Sequence, residues 1–241
     1  MARGRRRVAT TGLFALALGA GGAEDAGAQP RWLRLPDAGF VAAGVSGVAT
    51  GALDERLAAR GFPTFGRTAR AASLGTYWRL PSGVMLGGEW HGIIFGERLH
   101  DGREVGLGGG YGTLGVGYAA ELSSRARVYP RLGLGVGGLG LWVEREGEVV
   151  GFDDALTRPQ PAAEREREQV LSRAGVVVDL GAGLELLPGG RGRGPLLGLR
   201  LGYLATPFTT RWHRDDVPVS GGPNATLAGP YIRAVVGVGR R

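Results

Sequence analysis

The chain contains no cysteine. That excludes disulfides, thiolate metal sites and a lipidated N-terminal cysteine. It contains no lysine either: all 29 basic residues are arginine. A P-loop lysine and a Schiff-base lysine are therefore excluded. Past the first 28 residues no run of about 18 apolar residues occurs, so no membrane-crossing helix is expected. The three histidines are His91, His100 and His213.

Glycine is abundant instead. There are 47 in 241 residues, roughly a fifth of the chain against a usual share of about 7%. They follow no Gly-X-Y period, so a collagen-like triple helix is excluded.

The first residues read as a secretory leader. Arg3, Arg5, Arg6 and Arg7 are followed by the short apolar stretch Val8 to Ala20 and by Ala26-Gly27-Ala28, a small-residue cleavage site. The mature chain is expected to begin at Gln29. Residues 1–28 carry four arginines and two acids, so removing them lowers the formal charge from +7 to +5. Much of the basic excess thus belongs to export. The remaining arginines are scattered among acids, without a basic stripe interleaved with aromatics. Nucleic acid is not expected as a partner.

The mature chain alternates large apolar residues with small or polar ones in eight stretches, the period of β-strands. These are Gly39–Ala49, Thr68–Leu80, Val84–Gly96, Gly106–Leu122, Arg127–Arg145, Leu171–Leu187, Leu196–Trp212 and Leu227–Arg240. Most exceed the roughly 9–11 residues that a tilted strand needs to cross a bilayer. Long polar connections follow the first, third, fifth and seventh. Short turns follow the second, fourth and sixth. This sorting fits an up-and-down antiparallel barrel with long loops outside and short turns inside. One helix is expected in the first long loop, Ala52 to Arg60, with Leu53 and Leu57 on one face and Gly61 as its stop.

The faces divide unequally. In the seventh stretch Leu197, Leu199, Leu201 and Tyr203 oppose Gly198, Arg200 and Gly202. One face suits lipid. The other holds glycine and single charges, which suits a lumen whose charges must be paired. A lumen charge network is therefore predicted from Arg79, Glu89, His91, Arg131, Asp179, Glu185, Arg200 and Arg233, with inward glycines making room for the arginines. Tyr77, Trp78, Trp90, Tyr111, Tyr118, Trp142, Tyr203, Trp212 and Tyr231 lie at strand ends or on outward faces, where aromatic girdles form.

Arg131 to Val143, RLGLGVGGLGLWV, contains Gly133-x-Gly135-x-x-Gly138, the spacing of a dinucleotide loop. No helix pattern follows it, and the same spacing recurs at Gly135, Gly137 and Gly140. It reads as a strand, not a nucleotide site. The large residues switch parity at Gly137-Gly138, from Leu132, Leu134 and Val136 to Leu139, Leu141 and Val143. A β-bulge or sharp bend is expected there.

With leader, eight strands, loop alternation and the closing strand GPYIRAVVGVGRR on the page, the chain resembles the small eight-stranded outer-membrane β-barrel proteins of Gram-negative bacteria. The resemblance covers Gly39 to Arg241. It implies an all-β, eight-stranded antiparallel up-and-down transmembrane barrel with both termini periplasmic. The expected domains are a leader at 1–28, a periplasmic segment at 29–38 and the barrel at 39–241. The implied partners are outer-membrane lipids and the outer-membrane assembly machinery, with a monomer as the unit. Such barrels usually end on an aromatic residue, whereas this chain ends Gly239-Arg240-Arg241.

The expected role is structural or surface-binding, through the outer loops and around a largely filled lumen. Two alternatives stand beside it: a narrow conduit for small, including hydrophobic, solutes, and a lipid A-modifying hydrolase or acyltransferase. For the enzyme, His91 lacks the His-x-Ser pattern of the deacylases. The best acyltransferase-like cluster is His213, Asp215, Asp216 and Ser220, in a solvated loop. Glu89 and His91 share a strand face, and an interior hydrogen bond is the expected use of that pair. Asp153-Asp154 lacks the ligand spacing of a calcium loop. No catalytic residue, cofactor or metal is assigned.

Overall fold

The computed structural model describes residues 35–100, 103–145, 169–188, 192–214 and 217–240. Eight long strands form the wall: β1 (Ala38–Gly47), β2 (Thr68–Arg79), β3 (Val84–Ile94), β4 (Arg103–Tyr118), β5 (Ala126–Arg145), β6 (Gln169–Leu186), β7 (Arg193–Thr209) and β8 (Gly229–Arg240). Each pairs antiparallel with the next. The ring closes where β8 pairs with β1, from Ala38 opposite Gly239 to Ser46 opposite Tyr231. A closed barrel leaves no long open edge and satisfies its wall hydrogen bonds internally. No described helix is long and apolar enough to cross a membrane, which says nothing about strands.

Short connections 80–83, 119–125 and 187–192 gather at one end, the turn end, with the two ends of the barrel chain. At the other, the loop end, β1, β3, β5 and β7 finish and β2, β4, β6 and β8 begin. Three short strands, Arg98–His100, Trp212–Arg214 and Val217–Val219, prolong the wall at the loop end, and Ala120–Ser123 folds back on β5 at the turn end. Helix α1 spans Gly51–Ala58, within the expected first loop, and buries Leu53 and Leu57.

The expected break at Gly137-Gly138 is corrected. Gly137 pairs with Tyr111 on one side and Gly175 on the other, and Gly138 with Gly110 and Ala174, in an unbroken register. The parity of β5 never slips. Arg131, Leu139 and Leu141 all point inward and are buried, while Leu134 and Val136 point outward. What changes along the strand is the lumen, from polar to apolar. Gly137 has its own reason: a Cβ there would lie 2.3 Å from the Cβ of Tyr111. The wall's register shift is instead between β6 and β7, where Thr206 and Pro207 face Val177 alone. Proline has no N–H for the ladder, so it sits at the bulge.

The leader, the Asp153-Asp154 pair and the acidic-basic run before Gln169 fall outside the described residues.

Candidate functional site: the filled lumen and the apolar belt

The outer wall is apolar. Leu114 is 76% exposed, Val136 69% and Trp90 66%, and Leu134, Leu180, Leu201 and Val236 share the same outward face. Buried charge lies inside: Glu89, His91, Arg127, Arg131, Asp179, Glu185, Arg200 and Arg233 are all buried. A protein in water places these groups the other way round. The plan is that of a small transmembrane β-barrel.

The polar layer is built on two carboxylates near the turn end. Glu185 on β6 accepts from Arg127 Nε at 3.0 Å and Nη2 at 2.8 Å, from Tyr77 at 2.7 Å and from Tyr129 at 2.8 Å. Arg127 also donates to the Tyr77 hydroxyl. Tyr129 in turn accepts from Arg200 Nε at 2.7 Å. Arg200 reaches Glu89 Oε1 at 2.6 Å and Glu185 Oε1 at 3.4 Å, and its guanidinium carbon lies 4.0 Å above the Phe40 ring. Each charge thus has several short polar contacts, which a buried charge requires.

Farther along the axis the layer loosens. Arg131 lies between Glu89, at 2.7 Å, and Asp179, at 3.3 Å. Its Nη1 and the Asp179 Oδ2 make no hydrogen bond, and the Thr113 hydroxyl also lacks one. Tyr231 donates to Asp179 Oδ1 at 2.7 Å. A void of about 30 Å³ lies against Glu89, Thr113, Tyr129, Arg131 and Arg200. That is room for one or two waters.

Arg233 is 1% exposed, yet among the described residues no carboxylate pairs with it. It donates to the Tyr111 hydroxyl at 2.5 Å, lies 4.1 Å over the Tyr231 ring, and meets His91 Nδ1 at 3.0 Å. A guanidinium only donates, so Nδ1 accepts and the imidazole proton sits on Nε2. That nitrogen faces Glu89 Oε2 at 3.4 Å. His91 also stacks on Tyr111, 4.1 Å between ring centres.

The structure therefore brings together Glu89, His91, Arg131, Asp179, Glu185, Arg200 and Arg233. Arg79 is corrected. It lies at the turn end and pairs with the half-exposed Glu121, because β2 ends there and the side chain reaches water. Arg127, absent from the predicted set, is its replacement. Its signal was present, since Arg127, Tyr129 and Arg131 share one parity. Tyr77, Tyr111 and Tyr231 likewise turn inward rather than to a girdle, and Trp212 is buried in the mouth. Trp78, Trp90, Tyr118 and Tyr203 remain exposed on the outer face. Inward glycine makes room for tyrosine: a Cβ on Gly183 would lie 2.2 Å from the Tyr129 ring.

Above the polar layer an apolar cluster fills the mouth, with Ile93, Leu107, Leu139 and Leu141 from the wall and Leu53 and Leu57 from α1. Asp54 accepts from the backbone N–H of Phe65 at 2.8 Å and of Gly66 at 3.2 Å, so the rest of the first loop folds down onto the cluster. Two arginines hold the last loop. Arg56 donates to Gly221 O at 2.6 Å, and Arg173 to Thr210 O at 3.0 Å and Asn224 Oδ1 at 2.8 Å.

No protein-family model and no curated protein matches the chain. Among solved structures, that of Ail, the attachment invasion locus protein of Yersinia pestis, is similar. It shows 11% identity, covers 85% of this chain and 98% of that one, and has a TM-score of 0.43. Ail in complex with the heparin analogue sucrose octasulfate gives 12% identity, the same two coverages and a TM-score of 0.42.

Of the residues weighed for catalysis, His91 is 5% exposed, with Nδ1 held by Arg233 and Nε2 making no hydrogen bond. His213 lies in the short strand Trp212–Arg214, opposite Pro218. Asp215 and Asp216 lie outside the described residues. No group of three His, Asp or Glu residues fit for a metal occurs among the described residues.

Proposed function

We propose that the chain is an outer-membrane β-barrel that serves as a structural or surface-binding protein, with its long loops outward and both ends of the barrel chain in the periplasm. The observation that carries this is the inverted wall. An apolar belt encircles a lumen of buried charge, most of it in ion pairs, and α1 closes the mouth above it. The loops held by Arg56 and Arg173 then form the surface available to partners. The leader-like N-terminus supports export.

A conduit is the weaker reading, because the polar layer leaves a void of only about 30 Å³. Two measurements test the proposal. Expressed with its leader, the protein should fractionate with outer membranes and run at different positions before and after boiling. Reconstituted in liposomes, it should pass no small sugars in a swelling assay. Recovery as a soluble periplasmic protein without a heat-dependent shift would overturn the membrane reading. Rapid swelling would overturn the filled lumen.

A further inference from the structure

The outer face carries one feature that a plain apolar belt does not explain. At the loop end of the β7–β8–β1–β2 wall lies a groove of about 690 Å³, within the range of small-molecule sites. Register places four outward residues in a row across it: Tyr203, Pro230, Gly47 and Thr68. The row nearer the turn end is Leu201, Ile232, Val45 and Arg70. Gly47 and Pro230 form a low floor, since neither projects a long side chain. Tyr203, 53% exposed, stands on one side. Arg67 lines the other, with Arg70 beside Val45.

Both arginines are exposed, and among the described residues no carboxylate pairs with either. Arg70 stands between Val45 and Ile94 on the outward face. An arginine facing lipid is costly at mid-bilayer and tolerable only near the interface, where it meets phosphate. The groove is therefore amphipathic: an apolar trough with two unpaired cations at its rim.

We propose that this groove seats an acyl chain of a phosphate-bearing membrane lipid, with Arg67 and Arg70 taking the phosphate. The chain lies over Gly47 and Pro230, against Tyr203, Val45 and Ile232. Guanidinium matches phosphate in charge and in paired-donor geometry. This site rests on the membrane reading above, and its test separates the two.

The full barrel is refolded into vesicles of phosphatidylcholine alone or with one part in ten of phosphatidylglycerol. Insertion is checked by the heat-dependent gel shift, and retained lipid is counted by native mass spectrometry after extraction in detergent. The wild type should retain one phosphatidylglycerol in preference to phosphatidylcholine. The double variant Arg67→Gln/Arg70→Gln should lose that preference by roughly tenfold or more. Val45→Trp, which fills the trough from an outward position, should reduce retention of both lipids. An inserted wild type without headgroup preference, or a double variant that keeps it, overturns the site. Failure of every form to insert overturns the membrane reading and the site with it.

Discussion

The two layers of the lumen differ in how they tolerate change. The polar layer around Glu185 and Glu89 consists of charges that share partners: Glu185 alone serves Arg127, Arg200, Tyr77 and Tyr129. The mouth around Leu139 and α1 is filled by apolar packing, and its hydrogen bonds lie in the loops above. Polar partners are specific, and losing one strands the others. Apolar contacts are interchangeable, and losing one leaves a cavity whose cost grows with its volume. The difference teaches where this barrel is brittle.

The sharpest way to break the polar layer is Arg200→Glu. It places a third acid against Glu89 and Glu185 and leaves Tyr129 without its donor. Removing one partner of a buried pair costs about 3–5 kcal/mol, and reversal adds repulsion to that. The heat-dependent gel shift should disappear under conditions where the wild type folds. A folded variant of unchanged heat resistance would show that the layer does not hold the barrel together. In the mouth, Leu139→Ala should cost about 2–5 kcal/mol without abolishing folding, read by urea unfolding in detergent micelles through tryptophan fluorescence.

That contrast also marks what was legible in the sequence. Strand number, loop alternation and the inward parity of Arg200, Arg233, Asp179 and Glu185 follow from a period of two, which the closed wall preserves. The mouth was not legible. With large residues outward and glycine inward, Leu139 and Leu141 look like a slip in phase. The wall is regular and the lumen changes character instead: β5 passes from the charged layer into one that buries leucine against α1. Strand periodicity reports the face and carries no information about which layer of the lumen that face meets. Arg79 and Arg127 were misassigned for a related reason. Both stand near the turn end, and only the cross-strand register separates Arg79, level with Glu121, from Arg127, opposite Glu185.

Within the polar layer itself the comparison can be sharpened. Arg131 approaches Glu89 and Asp179, but its Nη1 makes no hydrogen bond. Glu89 keeps Arg200 without it, and Asp179 keeps Tyr231. The layer holds Arg127, Arg131, Arg200 and Arg233 against Glu89, Asp179 and Glu185, with His91 neutral. Arg131→Met keeps much of the volume but leaves the buried Asp179 with Tyr231 as its remaining partner. The loss should stay at or below the low end of the about 3–5 kcal/mol expected of a broken buried pair, and below that of Arg127→Met, which deprives Glu185 of two hydrogen bonds. Equal losses for the two in urea unfolding would mean that hydrogen-bond geometry does not rank these ion pairs.

The smallest expected effect lies on the wall that both layers share. Gly140 points outward from β5 level with Leu139 and Leu141, and a Cβ there would meet nothing within 4 Å. Gly140→Ala should therefore shift the unfolding midpoint by less than about 0.5 kcal/mol equivalent, with any gain coming from a stiffer unfolded chain. Gly183, facing the polar layer, has the Tyr129 ring where its Cβ would go. If Gly140→Ala proved as damaging as Gly183→Ala, glycine in this barrel would serve the wall's curvature, not the fit of side chains in the lumen. A neutral Gly140→Ala beside a crippling Gly183→Ala ties the inward glycines to the tyrosines that complete the network around Glu185.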